Sequence, residues 1–425
     1  MEIRKVRIEE IKIDTYNPRK DLKPEDPEYK QIEASIDDFG LVEPLVWNSR
    51  TKNLIGGHQR LKILVKKGFK EVEVSVIGLD LEHEKALNLA LNKVSGVWDK
   101  GKLAALLDEL TKVPNFNVTV TGFSTTEVGQ LFDRYGEQKD ADNYDFQSAL
   151  ESITEPKTKR GDVLVLGNHR VLCGDATLPD DIKRLMDGES ARLINIDPPY
   201  NIAYLGGNRP NPKTARPKRS RNWDRIYFDN LSQEDYEEFL RKLFANMDGV
   251  LESGCSFYIW NGHNQFAPMH RMLKDLNYHI GCVITWAKPT FAISYGDYHQ
   301  QTEFCLYGWK QGENHRWFGG VSESTLWEVK RDPASQAIHP TQKPCELAAR
   351  AIRNSSQRGD IVIDFCLGSG STLIASESLS RRCFGIEIDP RYCDAIAMRY
   401  INFVGAGKVS KSLREKYLPE VKHGK

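Results

Sequence analysis

Apolar positions change their period several times along this chain, and the changes divide it into pieces. Residues 6–13 read as a strand, Asn17-Pro18-Arg19 as a turn, and residues 29–39 as a helix that stops at Gly40. Residues 42–47 are strand-like. Leu54-Ile55-Gly56-Gly57-His58-Gln59-Arg60 leads from a strand through a double glycine into a helix running to about Lys67, and residues 71–77 form another strand. Residues 1–95 are therefore expected to be a small α/β domain. Helical spacing follows at 82–92, 102–110 and 125–135, the last opened by Ser124 and Glu127 as a capping box. That makes 96–135 a helical connector. Residues 136–160 are polar and aperiodic, a linker composition that marks the domain boundary.

The second half has a different rhythm. Residues 163–166 and 171–173 flank Gly167-Asn168-His169-Arg170 as a hairpin that delivers Asp175 after Gly174. A helix at 180–186 leads to the apolar run Leu193-Ile194-Asn195-Ile196, which reads as a buried strand ending at Asp197. Strand, helix, strand with an acid at both strand ends is a parallel crossover unit. Helices are expected at 234–247 and 266–276, strands at 254–260, 281–288 and 301–307, and a further helix at 345–353. Residues 361–364, a glycine-rich turn, a helix to Ser380 and a strand at 382–387 follow, with a last helix from 392 to 403. Most of the aromatics between 286 and 327 (Trp286, Phe291, Tyr295, Tyr298, Trp309, Trp317, Trp327) are expected in the core. Residues 161–405 form the large domain and 406–425 a lysine-rich, solvated tail.

Length allows two or three domains with a large core. Lysine plus arginine and aspartate plus glutamate both number 59, so a nucleic-acid site has to be local rather than a global basic field. The eight cysteines form no C-x-x-C pair and the ten histidines no ligand-spaced cluster, which argues against a metal and against a disulfide framework. No apolar run approaches a membrane span, and the charged amino terminus is unlike a signal sequence, so a cytoplasmic protein is expected.

The chemistry concentrates at Asp197-Pro198-Pro199-Tyr200. The prolines lock φ and donate no N–H, so the turn is stiff and its carbonyls stay free as acceptors. A carboxylate, rigid carbonyls and an aromatic face at the carboxyl end of a parallel strand suit a planar ring bearing an exocyclic amino group. The run from 201 to 222 carries Arg209, Lys213, Arg216, Lys218, Arg219 and Arg221 and no acid, which reads as a DNA contact against the alternative of a solvated face. His339-Pro340-Thr341-Gln342-Lys343-Pro344 places a lysine just before a helix, suited to a carboxylate or simply to an N-terminal turn. Phe365-Cys366-Leu367-Gly368-Ser369-Gly370-Ser371-Thr372 lacks the third glycine of a dinucleotide turn, and Glu387 follows at roughly 20 residues, the spacing of a ribose acid. In the first domain, Gly56 and Gly57 before His58 and Arg60 form either a phosphate cradle or a ligand-free tight turn.

Asp-Pro-Pro-Tyr ahead of Thr-Gln-Lys-Pro and the glycine-rich turn resembles the β class of DNA amino-methyltransferases over residues 161–405. The resemblance implies a Rossmann-like domain using S-adenosylmethionine, behind a small α/β domain whose Asn-Pro-Arg and Gly-Gly-His-Gln-Arg boxes resemble the ParB/sulfiredoxin-like domain. It implies catalysis by Asp197, Pro198, Pro199 and Tyr200. Cofactor binding is implied for Asp175 (adenine), Thr341, Lys343 (methionine carboxylate), Phe365, Cys366, Gly368, Ser369, Gly370, Ser371, Thr372 and Glu387 (ribose). Phe365 falls one residue early for that family, leaving open whether it or Cys366 lies against the cofactor. The substrate implied is double-stranded DNA with its target base flipped out, at adenine N6. Cytosine N4, RNA, a ParB-like regulator with a degenerate methylase domain and a nicotinamide oxidoreductase are the alternatives. A nucleotide at the ParB-like domain, a homodimer and a restriction nuclease partner stay open.

Overall fold

The computed structural model describes residues 2–93, 98–136, 142–202, 227–292, 297–329 and 343–418. Two compact units emerge, Met1–Gln138 and Lys139–Lys425.

In the first unit, β1 (Glu2–Arg7), β2 (Leu45–Asn48), β3 (Leu54–Gly56) and β4 (Glu71–Ile77) form a sheet in the order β1-β4-β2-β3. The first strand starts at Glu2 rather than at residue 6, and a 3-10 turn occupies Ile8–Glu10. Its own pattern is too polar to announce it, since only Val6 is buried, and pairing with β4 is what makes it a strand. Helices Pro27–Phe39 and His58–Lys66 accompany a core of Val6, Leu45, Trp47, Leu54, Leu61, Leu64, Val72 and Val74. Helices Leu81–Asn92, Lys100–Thr111 and Thr125–Tyr135 surround Leu89, Leu103, Leu107, Leu110 and Val128, and the capping box at Ser124 and Glu127 is formed.

The second unit holds a nine-stranded sheet. Its strands are β5 (Val163–Leu166), β6 (His169–Cys173), β7 (Ala191–Ile196), β8 (Leu251–Asn261), β9 (Tyr278–Ala292), β10 (Gln300–Lys310), β11 (Leu326–Glu328), β12 (Ile361–Asp364) and β13 (Arg382–Glu387). The order is β11-β9-β10-β8-β7-β12-β13-β6-β5. Pairing is parallel from β6 through β13, β12 and β7 to β8, with the expected β5–β6 hairpin antiparallel at one edge. From β7 the chain runs outward to β8, whereas from β12 it runs to β13 on the other side. The boundary between β7 and β12 is thus the topological switch point, where such sheets open a crevice.

Helices Pro179–Met186, Gln233–Val250 and Phe266–Asp275 contribute to a core shared with β7 and β8. Ser371–Ser378 and Pro390–Val404 contribute to a second cluster, and Cys345–Ser355 to a third built around Trp260, Trp286 and Trp327.

Three readings of the sequence need correction. Within the expected linker, Phe146–Ser152 is a helix whose Phe146 and Leu150 are buried, and Asp142 forms a buried ion pair with Arg399. Two apolar side chains suffice to dock so short a helix, too few to register as a period. The lysine-rich tail likewise forms a helix, Lys411–Tyr417, anchored by buried Tyr417, whose hydroxyl meets Thr158 Oγ1 at 2.9 Å. Among the aromatics, Trp286 and Trp327 are core, but Phe291, Tyr298 and Trp317 are exposed, and Tyr295 lies outside the described residues.

Candidate active site

Four adjacent parallel strands each deliver an acid at the carboxyl end. Asp175 follows β6, Glu387 closes β13, Asp364 closes β12 and Asp197 follows β7. This row straddles the switch point, so the acid–proline corner and the glycine turn are neighbours in one sheet.

The corner is rigid from several sides. Pro199 O accepts the Tyr236 hydroxyl at 2.5 Å, and the Tyr200 ring rests against Gly262, where an added Cβ would lie 3.4 Å from the ring. The chain leaves through Asn201 at φ 54°, whose side chain bonds both the N–H and the carbonyl of Leu231.

Asp197 Oδ1 is buried and makes no hydrogen bond, while Oδ2 lies 2.6 Å from Lys343 Nζ. Burial raises the Asp197 pKa and the Glu303 charge adds to it, against the lowering by Lys343. The ammonium also donates to the Tyr200 hydroxyl at 2.8 Å and lies 3.0 Å from Glu303 Oε2. The side chain of Lys343, which the resemblance assigned to the methionine carboxylate, therefore sits on the acid–proline corner. Its backbone does reach the glycine turn, since Lys343 O accepts from Ser371 Oγ at 3.1 Å.

The glycine turn has the conformation its residues suggest. Gly368 (φ 53°) and Gly370 (φ 84°) take left-handed backbone, and a Cβ on Gly368 would meet nothing nearer than Cys366 O at 3.8 Å, leaving an open cradle above it. Glu387 closes that cradle, with Oε2 accepting from Gly368 N at 2.8 Å and Oε1 from Asp389 N at 2.9 Å. Cys366 and Phe365 part company here. Phe365 is buried in the core, whereas Cys366 is partly exposed, its thiol raised by burial and by Asp364, Glu387, Asp197 and Asp175 around it. Ser369 and Ser371 sit on the turn, their hydroxyls 3.3 Å apart. Asp175 spends Oδ1 on the N–H and hydroxyl of Thr177, a local turn, and its Oδ2 lies 3.9 Å from Arg160.

Two residues escaped the sequence reading. Asp364 accepts from Thr372 Oγ1 at 2.7 Å and from Cys366 N at 3.0 Å, and Thr372 accepts from Asn195 Nδ2 at 3.0 Å, so a hydrogen-bonded chain ties β7 to the glycine turn. The acid at the strand end was the available signal. Glu303 on β10 gave none, because nothing around it in sequence resembles a motif. Burial alone would raise its carboxyl, but the Lys343 and Lys288 ammoniums outweigh that and hold it at about 2. Thr341 and the basic run with Arg209, Lys213, Arg216, Lys218, Arg219 and Arg221 lie outside the described residues.

Burial pushes both Asp364 and Glu387 up to about 7. Unfolded carboxyls titrate near about 4, so between about pH 4 and pH 7 the folded chain binds the extra protons, and the stability they contribute is lost as pH rises through about 7. The thermal midpoint of the ligand-free protein should fall between about pH 5.5 and pH 8, and Glu387→Gln should flatten that fall. An unchanged slope in the variant would show that Glu387 is an ordinary carboxylate.

In the first unit, Gly57 (φ 93°) turns the chain from Gly56 into the helix beginning at His58, and a Cβ there would stand 2.5 Å from Leu45 Cδ2. His58 Nε2 lies 3.1 Å from Asp14 Oδ2, and Asp14 Oδ1 accepts from Asn17 N, so the two boxes meet. Arg60 pairs with Glu43 at 2.8 Å.

Fold and site together define an α/β methyltransferase domain with an acid–proline corner beside its glycine turn. Residues 191–399 match the DNA methylase family, and the chain carries that domain behind a ParB N-terminal domain (1–93) and a ParB-methyltransferase HTH domain (101–160). The HTH match spans both the expected connector and the expected linker. Type II methyltransferase M2.MboI of Moraxella bovis is 26% identical over 227 residues, covering 50% of this chain and 81% of that protein. Type II methyltransferase M2.DpnII of Streptococcus pneumoniae is 27% identical over 222 residues, covering 49% and 81%. Among solved structures, the M1.HpyAVI–SAM complex is 21% identical, covers 54% of this chain and 97% of its own, and has a TM-score of 0.40. No helix among the described residues is long and apolar enough to cross a membrane.

Proposed function

We propose that this DNA methylase modifies the exocyclic N6 of adenine, taking the base flipped out of double-stranded DNA. The observation that carries the reading is Lys343, which touches the cofactor turn through its backbone and the catalytic acid through its ammonium. Donor and acceptor sites therefore share one crevice.

S-adenosylmethionine supplies the methyl group as a sulfonium electrophile. The open cradle over Gly368, flanked by Glu387 and Cys366, fits an adenosine, with Glu387 placed to accept from ribose hydroxyls. At the acceptor side, the amine of adenine is a poor nucleophile because its lone pair is delocalised into the ring. The unpartnered Asp197 Oδ1 and the carbonyl of Pro198 are suited to accept its two protons and so localise that pair. Positive charge developing on the nitrogen is stabilised by the Asp197 carboxylate, fixed before reaction by Lys343. Flipping costs a few kcal/mol, offset by contacts of the base in the crevice. Asp rather than Ser at the first motif position favours adenine over cytosine. The enzyme works beside genomic DNA, in the cytoplasm.

Long-read modification mapping of DNA from cells expressing the protein tests this. N6-methyladenine in one short sequence context is expected. N4-methylcytosine, or no modified base, contradicts the reading, the latter favouring a DNA-binding regulator. Removing residues 1–138 should leave transfer measurable, because every group described in the crevice belongs to the second unit. Complete loss in a folded remainder would mean that the first unit completes the site.

A further inference from the structure

The acids and lysines around the corner alternate in sign: Asp197, Lys343, Glu303, Lys288. Lys343 Nζ is 2.6 Å from Asp197 Oδ2 and 3.0 Å from Glu303 Oε2, and Glu303 Oε1 is 2.5 Å from Lys288 Nζ. Their formal charges sum to zero, and Lys288, Lys343 and Glu303 are largely buried. An ammonium has three donors, and those of Lys343 are matched by Asp197, Tyr200 and Glu303.

This resting arrangement leaves one Asp197 oxygen open for the reaction. A target amine entering the corner needs the Asp197 carboxylate as acceptor; Oδ1 is open to it while Oδ2 is held by Lys343. A buried cation shared by two anions keeps its place only while both carry charge. Glu303 is the second anion beside Lys343. It is fixed on its other side by Lys288 and supported from β10, whose Glu303 pairs in register with Trp286 on β9.

We propose that Glu303 is a positioning residue acting through Lys343, holding the ammonium on Asp197 Oδ2 so that Oδ1 stays turned to the target amine. The proposal rests on the amine-methylation reading. No bond is made or broken by Glu303 in this role. Glu303 also accepts the Tyr200 hydroxyl at 3.2 Å, which keeps the aromatic ring and the lysine in one assembly.

The test uses the full-length protein and Glu303→Gln, which keeps shape and removes charge. Single-turnover methyl transfer to DNA should slow on the order of 10²-fold, the scale of losing one preorganised electrostatic partner. Dissociation constants for S-adenosylmethionine, read by titration without DNA, should stay within about threefold. Glu303→Asp should recover part of the rate. On a Lys343→Met background, adding Glu303→Gln should slow transfer by less than about threefold, because a residue acting through another has nothing left to act on. Transfer by Glu303→Gln at the wild-type rate overturns the proposal, as does a loss that multiplies undiminished on the Lys343→Met background. Should Glu303→Gln fail to fold, Glu303→Asp carries the same comparison. A wild-type protein that transfers no methyl to DNA removes the functional reading beneath. A working wild type with unimpaired Glu303→Gln removes the proposal alone.

Discussion

Asp197→Ala should lower methyl transfer at least about 10³-fold while leaving S-adenosylmethionine binding within a few-fold of wild type. The separation follows from where the groups sit. The cradle over Gly368 and the Glu387 carboxyl are held by backbone N–H groups of Gly368 and Asp389, none of which depends on Asp197. The acceptor side has no substitute. The buried, unpartnered Oδ1 disappears, and Lys343 is left to Glu303 and Tyr200. Asp197→Asn should be nearly as inactive, since it keeps the shape but loses the charge that stabilises a cationic nitrogen. Filter assays with labelled donor, run beside donor titrations, check both quantities. Unimpaired turnover by Asp197→Ala would take Asp197 out of the mechanism.

Glu84→Leu should be the most damaging single change in the first unit, at about 3–5 kcal/mol of stability. Glu84 is fully buried and accepts hydrogen bonds from Tyr16 (2.6 Å), Asn48 (2.5 Å), Asn53 (2.7 Å) and Thr51. Burial opposes its charge, but these donors outweigh burial and hold its carboxyl below the usual range. The helix Leu81–Asn92 is tied through this one side chain to the segment around Tyr16 and to the β2–β3 hairpin. Leucine would leave those donors buried and unmatched. Urea unfolding should show the first unit melting early while methyl-donor binding by the second persists. A transition within about 0.5 kcal/mol of wild type would mean that water replaces the carboxylate at little cost.

Those two residues illustrate what the sequence could and could not reveal. Asp197 stands in a motif whose letters carry their own mechanics: branched strand, acid, two prolines, aromatic. Its position at the end of β7 agrees with that reading. The glycine turn and Glu387 were legible for the same reason, because local backbone demands and spacing along one strand–helix–strand unit fix them. Glu84 and Glu303 were not, since their partners come from distant segments and only the folded chain assembles them. Lys343 lies between these cases. Its position before a helix pointed to a carboxylate partner, while Asp197 and Glu303 beside it come from distant segments that only the fold brings together. The docked helices at Phe146–Ser152 and Lys411–Tyr417 were hidden because each has only one turn or two and few apolar anchors.

Methyl transfer at this site requires the glycine turn after β12 and the acid–proline corner after β7 to serve one bound molecule. A crystal structure with sinefungin, in which an amine replaces the donor's sulfonium methyl, measures this directly. The account predicts the adenosine over Gly368 beside Glu387, with the amine pointing to the Asp197 corner at about 3–5 Å from the place a target nitrogen would occupy. Adenosine density elsewhere, or an amine directed away from Asp197 into solvent, would contradict it.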